Sequence, residues 1–319
     1  MNSALLAVLI SFVVALLMTP QVRMLAMRLN VVAQPGGRRV HSRVTPLMGG
    51  IAMYAGFIIA VIIVVILSPR LRFDMQTIGI LVGATYVAII GVIDDKYELP
   101  GWFQALSILI SGTILVLFGV KIQHVTNPFQ GGHLMWLGWV GIPLTLIWVL
   151  MVTKAVDCMD GLDGLAAGIS GIAAATLMLM ALRSGERFEI SAVMAAALLG
   201  GTIGFLRYNY PPAKIFMGTI GAQFLGFMLA GISIAGAFKI AAFVAVAAPV
   251  LVLGVPLFDT TFVVIRRIAT GKKIHEADTS HLHHRLMNKG FSHRQVVWLI
   301  YGLTIVFCAA AYTLFFYAR

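Results

Sequence analysis

The chain has 319 residues, of which 60% are hydrophobic and only 11% charged, and its mean hydropathy is +0.96. A soluble domain is nearer half apolar and a quarter charged, so these values exclude a water-soluble globular protein and describe a chain dissolved in lipid. The net charge of +11 would suit nucleic-acid binding in a soluble protein; here it reads as membrane topology and attraction to anionic lipid, and no nucleic-acid partner is expected.

The first apolar run begins at Ala4 with neither a basic leader nor a small-residue cleavage site, which predicts a retained transmembrane helix rather than a signal peptide. About twenty apolar residues cross a bilayer. On that scale the sequence predicts ten helices, near 3–22, 46–67, 77–93, 101–119, 139–156, 164–183, 188–208, 221–237, 240–265 and 295–317. An open sheet would strand its backbone polar groups in lipid, so the expected fold is all-α: a polytopic integral membrane helical bundle, a single transmembrane domain over 1–319. Cys158 and Cys308 lie in or beside apolar runs and make no disulfide framework. Counting loops alternately, sixteen of the 23 lysines and arginines fall on the side of the first loop and seven on the other. The basic side should be cytoplasmic, which places both termini outside.

Five polar constellations fall on the basic side. The first loop carries Arg38, Arg39 and His41 after Pro35-Gly-Gly. Paired guanidinium groups fork onto phosphate oxygens, although a positive-inside loop accounts for the arginines equally well. Next, Asp94 and Asp95 close an apolar run. Neighbouring carboxylates need a counter-charge or a shared proton, and acids at a membrane boundary are costly enough to imply a use. The third is Asp157-Cys-Met-Asp160-Gly-Leu-Asp163-Gly, where Asp160 and Asp163 share a face if helical and the glycines allow backbone amides to meet phosphate. It lacks the spacing and terminal Glu of a calcium loop. The fourth, Arg207-Tyr-Asn209-Tyr-Pro-Pro-Ala-Lys214-Ile-Phe216-Met217-Gly218, offers aromatic surfaces beside a lysine; an interfacial aromatic belt explains the tyrosines as well. The fifth, Asp278-Thr-Ser-His281-Leu-His283-His284-Arg285, suits diphosphate, with zinc open on residue type alone. Five of the twelve acidic residues lie in the second and third clusters. A secondary transporter is disfavoured, because these motifs crowd one face instead of the bilayer midplane.

Taken in order, PGGRRVH with TPLMGG, GVIDDKYEL, DGLDGLAAG, RYNYPPAKIFMG, PLFDTTFVVIRR and SHLHHRL resemble the polyprenyl-phosphate N-acetylhexosamine-1-phosphate transferases. The resemblance runs from about Pro35 to Leu286, and the His-Leu-His-His form is similar to the branch using UDP-GlcNAc. It implies transfer of N-acetylhexosamine 1-phosphate, GlcNAc 1-phosphate first among them, from a UDP-sugar to undecaprenyl phosphate with release of UMP. It also implies Mg2+, with Mn2+ as a substitute, on Asp94, Asp95 and Asp160, and Asp163 completing the catalytic centre. Substrate contacts fall to Arg38, Arg39, His41, Asn209, Lys214, Phe216, His281, His283, His284 and Arg285. The expected location is the bacterial inner membrane, the catalytic loops facing the cytoplasm, with a homodimer as a further expectation. The chain departs from the family pattern at Thr219, where an Asp is usual, and at Ala33, Gln104, Lys154 and Thr279. Lys154 stands three residues before Asp157, a spacing that predicts an ion pair standing in for a cation. A membrane homologue that binds polyprenyl phosphate or a partner enzyme without turnover is the second reading.

Overall fold

The computed structural model describes residues 2–33, 44–126, 134–236, 250–269 and 281–317. Among them are α1 (Asn2–Arg28), α2 (Gly50–Leu67), α3 (Met75–Tyr97), α4 (Gly101–Leu117), α5 (Gly141–Met159), α6 (Leu165–Arg183), α7 (Glu189–Asn209), α8 (Gly218–Ala235), α9 (Gly254–Ala269), α10 (Leu282–Asn288) and α11 (His293–Tyr317). Eight of these, α1–α3, α5–α8 and α11, are long and apolar enough to cross a membrane; α4 is apolar but only 17 residues long. The protein is a polytopic helical membrane protein with almost no sheet. Among the described residues two short antiparallel pairs accompany the helices, Val32–Ala33 with Thr45–Pro46 and His124–Thr126 with Leu134–Trp136. The helix predicted at 240–265 lies partly outside the described residues.

Two helix ends differ from the sequence expectation, and both matter for the site. α3 runs past 93 to Tyr97, so Asp94 and Asp95 occupy its last turn, and Glu98 closes it in the left-handed region at φ 51°. Hydropathy marks where lipid ends; the helical hydrogen bonds continue beyond it. α2 begins at Gly50 instead of 46, because Thr45–Pro46 pairs with Val32–Ala33 and Met48 turns the chain at φ 70°.

α8 is the central element, 89% buried along its apolar span, whereas α1 is 28% and α11 33% buried. The outer faces of those two carry Leu5, Leu9, Leu17, Ile305 and Val306, which suit acyl chains. With lipid as solvent, helices associate through close van der Waals contact, which small residues permit. Gly50 of α2 lies so close to the backbone of Gly221 in α8 that α2 has no room for a Cβ at that crossing.

The chain's two ends are at the same end of the bundle. Ser3 donates its hydroxyl to Glu189 Oε1 at the start of α7 (2.9 Å), and Arg183 at the end of α6 sits 5.7 Å over the ring of Phe316 near the end of α11. The polar motifs gather at the opposite end.

Candidate active site

At that opposite end the last turns of α3, α5 and α7 meet the first turns of α4, α8 and α10 around a cavity of about 710 Å3. Its wall includes Asp94, Asp95, Glu98, Asp157, Asp160 and Asp163, half of the chain's twelve acidic residues, together with His281, His283 and His284. No lysine or arginine lines it among the described residues. A vestibule this acidic repels a diphosphate unless a cation bridges the two.

Each carboxylate is held differently. Asp94 is 4% exposed, and its Oδ1 accepts from the Leu99 N–H (3.0 Å) and from Gln104 Nε2 (2.9 Å). Asp95 Oδ1 accepts from the Thr219 N–H at 2.6 Å, at the start of α8, while its Oδ2 is buried with no partner. Gly218 precedes this contact at φ 71°, and a Cβ there would strike the Asp95 carboxylate, so only glycine lets α8 begin so near α3. Asp160 caps the C-terminal end of α5 and faces the cavity. Asp163 Oδ2 accepts from the Ala213 N–H at 2.9 Å.

Asn209 is 2% exposed and spends both ends of its amide on backbone: Oδ1 accepts from the Gly164 N–H and Nδ2 donates to the Ile215 carbonyl, each at 3.0 Å. It ties the aspartate-rich loop to the segment before α8 and so shapes the wall. Phe216 lines the cavity, its N–H donating to the Pro46 carbonyl and its own carbonyl accepting from Gly49. Lys214 and Arg285 are exposed and outside the lining; the Arg285 guanidinium lies 4.9 Å over the ring of Phe262. Arg38, Arg39, His41 and the departure at Thr279 lie outside the described residues. The ion pair expected from the Lys154 spacing is present, Lys154 Nζ to Asp157 Oδ2 at 2.9 Å.

Sequence reasoning passed over Asp259 of α9. Its Oδ2 is 2.7 Å from His281 Nδ1, and its Oδ1 accepts from the Leu282 N–H at 2.6 Å, with acid and imidazole both buried. A carboxylate only accepts, so His281 carries a proton on Nδ1 and leaves Nε2 for the cavity. The available signal was an isolated acid in an otherwise apolar stretch, which by default marks function. His283 stacks on His281 with ring centroids 5.9 Å apart, is 1% exposed, and neither of its ring nitrogens has a partner. Burial first, then the neighbouring His284 and His281, pushes its pKa down from 6.5 to about 4. Its unfolded form therefore binds a proton that the folded form refuses. Stability should be full above pH 6.5 and fall as pH drops toward 4, by about 3 kcal/mol at most. Melting temperatures of detergent-solubilised protein across that window should show this loss, and His283→Asn should reduce it.

The donor set constrains any metal. Among the described residues no three His, Cys, Asp or Glu side chains stand together as a ready cage. The unpartnered oxygen of Asp95, beside Asp94 and across from Asp160, fits instead an ion shared between one or two carboxylates and substrate phosphates, as Mg2+ prefers.

Residues 77–237, which carry most of this wall, match the model of glycosyl transferase family 4. The chain is also 37% identical to a probable undecaprenyl-phosphate N-acetylglucosaminyl 1-phosphate transferase of Bacillus subtilis (strain 168), over 97% of this chain and 84% of that protein. The chain belongs to glycosyl transferase family 4. A decaprenyl-phosphate N-acetylglucosaminephosphotransferase of Mycobacterium leprae (strain TN) is 35% identical, over 94% of this chain and 81% of its own length. An undecaprenyl-phosphate alpha-N-acetylglucosaminyl 1-phosphate transferase of Escherichia coli (strain K12) is 27% identical, over 87% and 75%. These family members lend no support to the non-catalytic reading.

Proposed function

We propose that this chain transfers GlcNAc 1-phosphate, or the 1-phosphate of a related N-acetylhexosamine, from its UDP-sugar to undecaprenyl phosphate. That would be the first membrane step of a cell-envelope glycan. The observation that carries the reading is the single cavity joining Asp94, Asp95, Asp160 and Asp163 to His281, His283 and His284 at one end of the bundle. An oxygen of the lipid phosphate attacks the β-phosphorus of the UDP-sugar. The bond from that phosphorus to the bridging oxygen breaks, UMP leaves with its electron pair, and a lipid diphosphate sugar remains.

Asp95, with Asp94 or Asp160 as a second ligand, would hold Mg2+, or Mn2+ in its place. When bound, the ion neutralises the diphosphate and makes UMP a better leaving group. Asp163 holds the loop that frames the reacting centre, and the histidines face the sugar diphosphate. The concentration of Lys and Arg on the cavity side supports a cytoplasmic orientation in a bacterial inner membrane, where UDP-sugars are found.

Purified protein in detergent should release UMP from UDP-GlcNAc only when undecaprenyl phosphate and Mg2+ are present, and EDTA should stop it. Folded protein that releases no UMP from any of several UDP-sugars would overturn the reading. Thr219 serves Asp95 through its backbone N–H, a contact any residue but proline keeps, and through its hydroxyl. Thr219→Asp should therefore add a carboxylate without disturbing α8 and lower the Mg2+ concentration needed for half-maximal release. An unchanged requirement would place the ion away from residue 219.

A further inference from the structure

Behind the acidic wall, three helices are joined by one chain of polar side chains. Lys154 of α5 donates to Asp157 Oδ2 at 2.9 Å and to Gln104 Oε1 of α4 at 2.6 Å. Gln104 Nε2 in turn donates to Asp94 Oδ1 of α3 at 2.9 Å. Asp94, Gln104 and Asp157 line the cavity; Lys154 does not, and its ammonium sits one layer back.

A glutamine amide on its own can present either end. Here the neighbours decide. An ammonium has only donors, so it takes Oε1 and turns the NH2 toward Asp94, whose carboxylate only accepts. The charges at the two ends polarise the amide in the same sense, so each hydrogen bond strengthens the other. With the Leu99 N–H on the same oxygen, Asp94 Oδ1 is tied back to the protein and the orientation of the carboxylate is set. Asp94 is adjacent to Asp95, and two neighbouring acids need positive charge close by. Lys154 supplies it through Gln104 without entering the space where substrate would lie.

We propose that Lys154 and Gln104 form a positioning relay for Asp94, the ammonium orienting the amide and the amide orienting the carboxylate. The relay rests on the transferase reading, since its output is turnover at Asp94.

Gln104→Glu separates this relay from a merely structural contact. The substitution keeps an oxygen for Lys154 and adds a charge to that pair, but it replaces the donor to Asp94 with a repelling carboxylate oxygen. We expect a protein that still folds, the stronger pair with Lys154 offsetting part of the lost bond to Asp94, and a kcat for UMP release lowered roughly 10–100-fold, the range typical of supporting residues. KM for UDP-GlcNAc should stay within about twofold, because the loss is confined to the reacting geometry. Lys154→Gln should lose kcat similarly. The exchange Gln104→Lys with Lys154→Gln should recover most of it, since a lysine at 104 donates to Asp94 directly. Full turnover in Gln104→Glu, or an exchange no better than Lys154→Gln alone, would overturn the relay while leaving the transferase reading intact. Absence of turnover in the unsubstituted protein would overturn that reading and the relay with it.

Discussion

Asp94→Asn should lower UMP release by at least about a hundredfold while leaving the protein folded in the membrane; losses of this size follow removal of a single charge-stabilising group from a water-poor site. The fold should survive because an asparagine oxygen still accepts from the Leu99 N–H and from Gln104, the two bonds that tie Asp94 Oδ1 in place. Only the charge goes, and with it either a metal ligand or the base for the lipid phosphate. Asp160→Asn, at the C-terminal cap of α5, should behave in the same way. Steady-state UMP release, with size-exclusion profiles as the check on folding, measures both. Retention of turnover in both variants would remove the acidic centre from the reaction.

Asp259→Asn should cost roughly 10–100-fold in kcat, although Asp259 does not line the cavity. An asparagine has one acceptor where the carboxylate has two. It can serve the Leu282 N–H or the His281 Nδ1–H, but not both. Once its NH2 faces His281, the imidazole must carry its proton on Nε2, and the lone pair that faced the cavity is lost. If Asp259 acts only through His281, Asp259→Asn added to His281→Gln should lower kcat no further. Additive losses would assign Asp259 a separate role.

The membrane-spanning helices were legible because lipid imposes one strong rule, that backbone polar groups be satisfied within the segment, and long apolar runs report it directly. The aspartate clusters and the histidine run were legible because acids are rare in this chain, and their positions at the ends of apolar runs put them on one side by alternation alone. Lys214 and Arg285 show the limit of that logic. Both belong to motifs that reach the cavity, yet neighbouring residues on a chain point in different directions, and these two face outward. The bond between Asp259 and His281 spans 22 positions, and the one between Lys154 and Gln104 spans 50, so local spacing says nothing of either.

By itself the sequence determined the class, the approximate span of most helices, the clustering of polar motifs on one side and the family resemblance. Those features depend on hydropathy, charge count and residue order, which are properties of the chain before it packs. Only the tertiary structure decided which oxygen of each aspartate is spoken for, that Asp95 keeps a buried oxygen without a partner, and that a lysine behind the wall is linked to Asp94 through one amide. Hydrogen bonds depend on tenths of an ångström and on direction, and helices brought together from distant parts of the chain set both.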